Sequence, residues 1–374
     1  MAVHKKDKTN SISRRDFLKL SAAAGIALTG LGGNVAKAGT NEAMAEISNS
    51  VKTIPLADVD QIRNKKIKIV PPKEAVRYEI IDSHLHFTDF LQKSDGFPAL
   101  CRAMDMAGVK KSVIFGMPIA MECDSHFYYY SATDYLVAQQ LLAQPDEIRH
   151  RFYPFCCGFN CNDKYAADHL ERLLHIYPDF WRGIGEIMSR HDDLTAHTYG
   201  EVPHMDGGGF LGIYDVAAQK GLPVLVHHNI TAQNTERILY LHELKNALAY
   251  NRQCNIIWAH IGISRQVEVK ELPQIAHELL RDNKNLWMDI SWLVYDHYFL
   301  DKFPDNYYDG NTMEDWVELI ERHPDRFLLG TDKVGHWQTY PAEVMKYYPL
   351  LDKLKPSTVA AICHNNLLSL IKKY

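Results

Sequence analysis

Ile81-Asp82-Ser83-His84-Leu85-His86 is the stretch on which the fold turns. An apolar run ends there in two histidines spaced two apart. On an extended chain such residues project to the same side, so both imidazoles can reach one ion. Other apolar runs end in a similar way: Gly183-Ile184-Gly185-Glu186, Val224-Leu225-Val226 before His227-His228-Asn229, Ile256-Ile257-Trp258-Ala259 before His260, and Phe327-Leu328-Leu329-Gly330-Thr331 before Asp332. Each is weak alone. In a chain with 19 histidines, a His-x-His is expected about once by chance. His228 or His260 by itself reads as a structural histidine, and Asp332 as a helix N-cap. Together they read differently. Imidazoles and carboxylates after five of eight buried runs suit a borderline metal, because burying so many polar groups unpaired would cost several kcal/mol.

The runs fall near Tyr78 to Ser83, Lys111 to Phe115, Phe152 to Gly158, Trp181 to Glu186, Pro223 to His227, Asn255 to Ala259, Asn285 to Ile290 and Arg326 to Gly330. Between them, helical spacing marks Ala132 to Ala143, Ala166 to Ile176, Phe210 to Lys220, Thr235 to Tyr250, Glu271 to Asp282, Met313 to Arg322 and Ala342 to Leu351. Eightfold strand-helix alternation favours a single-domain (β/α)8 barrel, whose strands all aim their C-terminal ends at one mouth. A doubly wound open sheet shares the same local grammar.

The chain has 374 residues, 46% hydrophobic and 23% charged, a length that suits one barrel with insertions. Its net charge is -5. The first 38 residues hold seven Lys/Arg against two Asp, which leaves about -10 on the rest and argues against nucleic acid as a partner. Seven cysteines, at 101, 123, 156, 157, 161, 254 and 363, do not read as a disulfide framework, although an oxidising periplasm could pair some, and the group at 156, 157 and 161 reads as buried small hydrophobes. Near the N-terminus, Ser13-Arg14-Arg15-Asp16-Phe17-Leu18-Lys19 precedes a weakly apolar stretch from Leu20 to Gly33 and then Ala36-Lys37-Ala38. This resembles a twin-arginine export signal with a signal-peptidase site. The stretch is too short and glycine-broken for a stable membrane span. The expected organisation is a signal over 1–38, a linker over 39–73 and the barrel over 74–374. The partner is then the twin-arginine export machinery, with the product periplasmic or secreted.

The strand ends, with the closing Ile362-Cys363-His364-Asn365-Asn366-Leu367-Leu368, resemble the amidohydrolase superfamily, in particular its amidohydrolase-related branch, from about residue 78 to 374. That resemblance implies His84, His86, His227 and Asp332 as metal ligands and His260 as a ligand or substrate-polarising group. Many binuclear relatives have a carboxylated lysine where Glu186 stands, so Glu186 is a further candidate ligand. The resemblance favours one ion, zinc by its donors, over two, and His227 over His228. It implies a metal-dependent hydrolase acting on a lactone, amide or related carboxylic-acid derivative, with Asp332 taking a proton from water and His260 steadying the oxyanion. Two readings compete: a non-oxidative decarboxylase on the same site, and a non-catalytic periplasmic binding barrel. Arg190, Trp292 and Tyr295, just past strand ends, are candidate contacts for a small-molecule substrate. The segment 296–311 reads as a lid or a subunit contact, and self-association into a homo-oligomer stays open.

Overall fold

The computed structural model describes residues 67–371 apart from 124–125, 192–193, 196–197, 199–201, 233–234, 264–268, 293 and 295–312. The export signal, most of the linker, Tyr295 and the segment 296–311 lie outside the described residues. No helix among those described is long and apolar enough to cross a membrane.

Eight strands form one parallel sheet in chain order: β1 (Ile80–Asp82), β2 (Val109–Ile114), β3 (Phe152–Cys156), β4 (Gly183–Met188), β5 (Val224–His227), β6 (Ile256–Ala259), β7 (Leu286–Asp289) and β8 (Phe327–Leu328). Helices follow most of them: α1 (Phe97–Ala107), α2 (Ala132–Leu142), α3 (Ala166–Ile176), α4 (Gly208–Lys220), α5 (Leu241–Tyr250), α6 (Leu272–Asp282) and α7 (Met313–Arg322), with short helices between Tyr340 and Leu370 after β8. Hydrogen bonds join the last strand to the first. Ser83 N–H donates to the Leu329 carbonyl at 2.9 Å, and the N–H groups of Thr331 and Asp332 donate to the His84 carbonyl at 3.2 and 2.8 Å. Beyond them Leu85–His86 pairs in parallel with Lys333–Val334. Strand order and closure decide for the barrel over the open sheet, which shares its local pattern but leaves two edges.

Both faces of this sheet are covered, so its strands are buried along their length, as Ile80, Val113, Phe155, Ile184, Val226, Trp258, Met288 and Leu328 show. Gly330 lies at the seam, where a Cβ would sit 2.5 Å from His84 Cβ. No larger residue lets β8 approach β1 so closely.

Several boundaries differ from the sequence pattern. The helix expected from Thr235 begins only at Leu241, because the N–H groups of Leu239 and Tyr240 both bond the Ile230 carbonyl and hold that segment outside a helical ladder. The helix expected over Ala342 to Leu351 divides into Tyr340–Met345 and Tyr348–Leu351, with Pro349 in the first turn of the second. Helix α1 and an antiparallel hairpin, Ile119–Cys123 with His126–Tyr129, are additional to those expected. Cys156, Cys157 and Cys161 are buried and unpaired by disulfide, as small core hydrophobes should be.

One core acid gives the fold a pH signature. Asp134 on α2 is buried, and its carboxylate accepts the N–H groups of Cys157 and Gly158, both at 2.9 Å, just past β3. Burial pushes its pKa from 3.8 to about 7, against the pull of those two donors. The folded chain therefore holds this proton more tightly than the unfolded one. The resulting stability is fully present below about pH 4 and is lost as pH rises through 7, on the order of 4 kcal/mol. In urea titrations at pH 4.5 and 7.5, Asp134→Asn should lower stability at the acid end, where one N–H loses its acceptor. The gap to wild type should shrink as pH rises; a gap constant across the window contradicts this assignment.

Candidate metal centre

At the C-terminal mouth of the barrel, the strand-end residues meet. His84 and His86 follow β1, Glu186 lies within β4, His227 ends β5, His260 follows β6 and Asp332 follows β8. Glu186 is aimed inward by an irregular register between Ile184 and Ile187 against β5. That irregularity needs Gly185, which has φ +128° and whose Cβ would sit 2.3 Å from the Leu225 carbonyl oxygen. His227 faces the centre. His228 points away, with Nε2 3.0 Å from the Tyr240 carbonyl and Nδ1 3.1 Å from Ser189 Oγ, which separates the two adjacent histidines as strand alternation requires.

Each imidazole uses one nitrogen outside the cluster and turns the other in. His84 Nδ1 is 2.7 Å from Asp289 Oδ2, and His86 Nδ1 is 3.0 Å from the Gly116 carbonyl. His227 Nε2 is 3.1 Å from Asn229 Oδ1, and His260 Nδ1 is 2.7 Å from Ser291 Oγ. A carbonyl or carboxylate oxygen only accepts, so the outer nitrogens of His84, His86 and His227 carry protons, and whenever the ring is neutral its inner nitrogen is a lone pair. His84 Nε2 lies 3.3 Å from Asp332 Oδ1, and His86 Nε2 lies 3.2 Å from Glu186 Oε2 and 3.3 Å from Asp332 Oδ1. His227 Nδ1 and His260 Nε2 lie 3.1 and 3.4 Å from Glu186 Oε1. Glu186 thus turns one oxygen to each pair of histidines.

Two carboxylates here face four imidazoles. Burial would push both carboxyls up, but His84 and the other facing imidazoles outweigh it and hold Glu186 and Asp332 well below the usual carboxylate range. Burial would likewise make His84 and His86 less basic. The facing carboxylates prevail, raising His84 well above 6.5 and His86 to about 9. Protons on imidazoles balance the carboxylates; a divalent ion would supply the same charge through the same lone pairs. One atom supports that substitution: His84 Nε2 is buried without a hydrogen-bond partner. Nitrogen and carboxylate donors in this mixture fit zinc or a similar ion.

A cavity of about 120 Å³ opens over the cluster, walled by Phe90, Met117, Met188, Leu194, Trp292 and Val334. Larger cavities lie elsewhere. One of about 500 Å³ is lined by Lys111, Phe152 and Arg182 near the starts of β2, β3 and β4, at the other end of the barrel from these ligands, so chemistry and not size locates the site. Trp292 reaches the cavity, its ring centroid 5.1 Å from that of His260. Arg190 is turned elsewhere. Its Nε lies 2.8 Å from Glu243 Oε1 and its guanidinium stacks 3.6 Å over the Tyr240 ring, beside a carboxylate that is 1% exposed. His260, Trp292 and Asp332 adopt positive φ of 52°, 48° and 54°, backbone strain on the order of 1–3 kcal/mol each, gathered at the mouth.

Asp289 and Ser291 are absent from the sequence reading. Their signal was available: Asp289-Ile290-Ser291 ends β7 with two polar residues two apart, the same spacing as His84 and His86.

The family model described as Amidohydrolase matches residues 81–366, and one for a twin-arginine translocation signal sequence matches residues 11–31. No curated protein matches the chain. Among solved structures, an uncharacterized TIM-barrel protein from Bordetella bronchiseptica is 16% identical with a TM-score of 0.51, covering 78% of this chain and 99% of its own. A 2,6-dihydroxybenzoate decarboxylase from Rhizobium is 13% identical, TM-score 0.53, covering 79% and 98%. A probable 2-pyrone-4,6-dicarboxylic acid hydrolase from Acinetobacter baumannii, with citric acid bound, is 13% identical, TM-score 0.50, covering 78% and 99%. At such identities these likenesses show the fold alone.

The Arg190 geometry yields a prediction. Arg190→Met strands the buried Glu243 charge and should lower unfolding free energy by about 3–5 kcal/mol in urea while leaving bound metal unchanged. Unaltered stability in Arg190→Met would contradict this assignment and restore Arg190 as a candidate substrate contact.

Proposed function

The chain belongs to the amidohydrolase family, and from that premise we propose that it is a metal-dependent hydrolase of lactones, amides or related carboxylic-acid derivatives. One observation carries the reading: inward-turned imidazole nitrogens and two carboxylates from five strand ends converge under one cavity. His84, His86, His227, Glu186 and Asp332 would hold a divalent ion, with zinc the first candidate and one ion per chain the simplest stoichiometry. The division of Glu186 between two histidine pairs is what makes a second ion the alternative to count. Bound there, such an ion supplies Lewis acidity, which acidifies water and polarises a scissile carbonyl.

The chain's own residues supply the rest. Asp332 is the carboxylate a substrate can reach, its side chain 13% exposed against 2% for Glu186, and it borders the cavity. It is placed to take a proton from attacking water and return it to the leaving group. His260 Nε2, 3.7 Å from Asp332 Oδ2, is placed to stabilise charge growing on the substrate oxygen. Trp292 and the apolar wall exclude bulk water, which strengthens both effects.

The same wall favours a second reading, decarboxylation, since an apolar surround raises the energy of a substrate carboxylate more than that of departing carbon dioxide. The twin-arginine signal directs export by the twin-arginine machinery. We place the working domain, residues 74–374, in the periplasm or outside the cell.

Metal analysis of the purified protein should find at least one divalent ion per chain, lost in His84→Ala. Asp332→Asn should lower kcat on any accepted substrate by about 100-fold or more. Wild type without stoichiometric metal contradicts the proposal. A lactone and amide panel, run beside carbon dioxide detection on carboxylates, separates hydrolysis from decarboxylation.

A further inference from the structure

Asp289 and Ser291 lie behind the cluster, against the outer nitrogens of His84 and His260. A single oxygen, Asp289 Oδ2, lies 2.7 Å from His84 Nδ1 and accepts the Ser291 hydroxyl at 2.6 Å. Ser291 Oγ is in turn 2.7 Å from His260 Nδ1. The other oxygen, Asp289 Oδ1, accepts the Ser291 backbone N–H at 3.2 Å, which fixes which oxygen faces the rings. His84, His260, Asp289 and Ser291 are all buried.

The protons can be arranged in only one way around an ionised Asp289 and neutral rings. The carboxylate only accepts, so His84 must bring its proton on Nδ1. Ser291 has one hydroxyl proton and gives it to Asp289, so towards His260 it can only accept, and His260 must also be protonated on Nδ1. Both Nε2 lone pairs then face Glu186 and Asp332. By distance alone His84, His260 and Asp289 look like a ligand trio. The Nδ1 protons leave no room for an ion there.

We propose that Asp289 is a positioning residue that sets the tautomer of two metal-facing imidazoles, His84 directly and His260 through Ser291. This rests on the metal-centre reading above. It has a consequence that ordinary packing does not. In Asp289→Asn the Ser291 N–H still holds Oδ1, so the amide NH2 takes the place of Oδ2 and a donor faces both neighbours. His84 must then accept at Nδ1, Ser291 turns its proton towards His260 Nδ1, and both rings move their proton to Nε2, the atoms an ion needs. Asp289→Ala removes the acceptor without imposing a donor, and leaves the rings free to adopt either tautomer. The near-isosteric substitution is therefore the more damaging one.

The test is zinc binding by chelator competition in wild type, Asp289→Asn, Asp289→Ala and Ser291→Ala. It is paired with 15N-histidine NMR of the metal-free proteins under alkaline conditions to read which ring nitrogen carries the proton. Affinity should fall about 10-fold in Asp289→Ala and Ser291→Ala and about 100-fold in Asp289→Asn, with the His84 and His260 protons moved to Nε2 only in the last. Adding Ser291→Ala to Asp289→Asn should free His260 and recover part of the loss. Asp289→Asn binding as well as Asp289→Ala, or unchanged tautomers, overturns the relay. If Asp289→Asn does not fold, Ser291→Ala against Ser291→Thr decides: loss in the first with near-wild-type affinity in the second supports the relay, and equal losses overturn it. Wild type that binds no zinc fails the metal-centre reading itself, and the relay falls with it.

Discussion

Asp82 sits buried where the barrel closes, and four donors converge on its carboxylate. His84 N–H and Thr331 N–H reach Oδ1 at 3.0 Å each, while the Thr331 and Tyr340 hydroxyls reach Oδ2 at 2.7 and 2.8 Å. Two of those donors come from the end of the last strand and one from the end of the first. A single carboxylate therefore locks together the two segments that carry His84 and Asp332. Were it removed, the buried donors would lose their acceptor, each at about 1–3 kcal/mol. The Tyr347 hydroxyl works beside it, 2.7 Å from the carbonyls of both Ile290 and Gly330, and ties the end of β7 to that of β8.

Rigidity at this seam is what lets the site hold its shape at such cost. Buried like charges, strained backbone at His260, Trp292 and Asp332, and an orphaned His84 nitrogen are each unfavourable in an apo chain. They persist because the closed sheet and the outer hydrogen bonds of the four imidazoles over-determine their positions. A bound ion would relieve the electrostatic part, which explains why the unfavourable features gather around one point. Preorganised donors of this kind need little rearrangement at the moment of reaction.

Much of this was legible in the sequence because strand ends in a barrel share one mouth. His84, His86, Glu186, His227, His260 and Asp332 each stand at the close of an apolar run, and the structure brings all six together. What escaped depended on side-chain direction. Arg190 follows β4 as closely as a substrate ligand should, but a buried glutamate on α5, fifty-three residues on, claims its guanidinium. No local pattern reveals that partner. Asp289 and Ser291 escaped for a different reason: aspartate and serine at a strand end resemble a helix cap or turn, and only the facing imidazoles give them meaning. The Asp82 clamp was hidden similarly, since Thr331 and Tyr340, which supply three of its four donors, lie some 250 residues away in the chain.

The central claim is that the inward nitrogens and carboxylates at the mouth seat a divalent ion. Anomalous diffraction at the zinc edge, from crystals of the protein grown with zinc, tests it most directly. The account predicts a peak bounded by His84, His86, Glu186, His227 and Asp332, with no comparable peak at Cys156, Cys157 and Cys161 or at His204, Asp206 and Glu243, whose donor atoms also lie within 4.8 Å of one another. A mouth without a peak, or a peak only at one of those other groups, would contradict it.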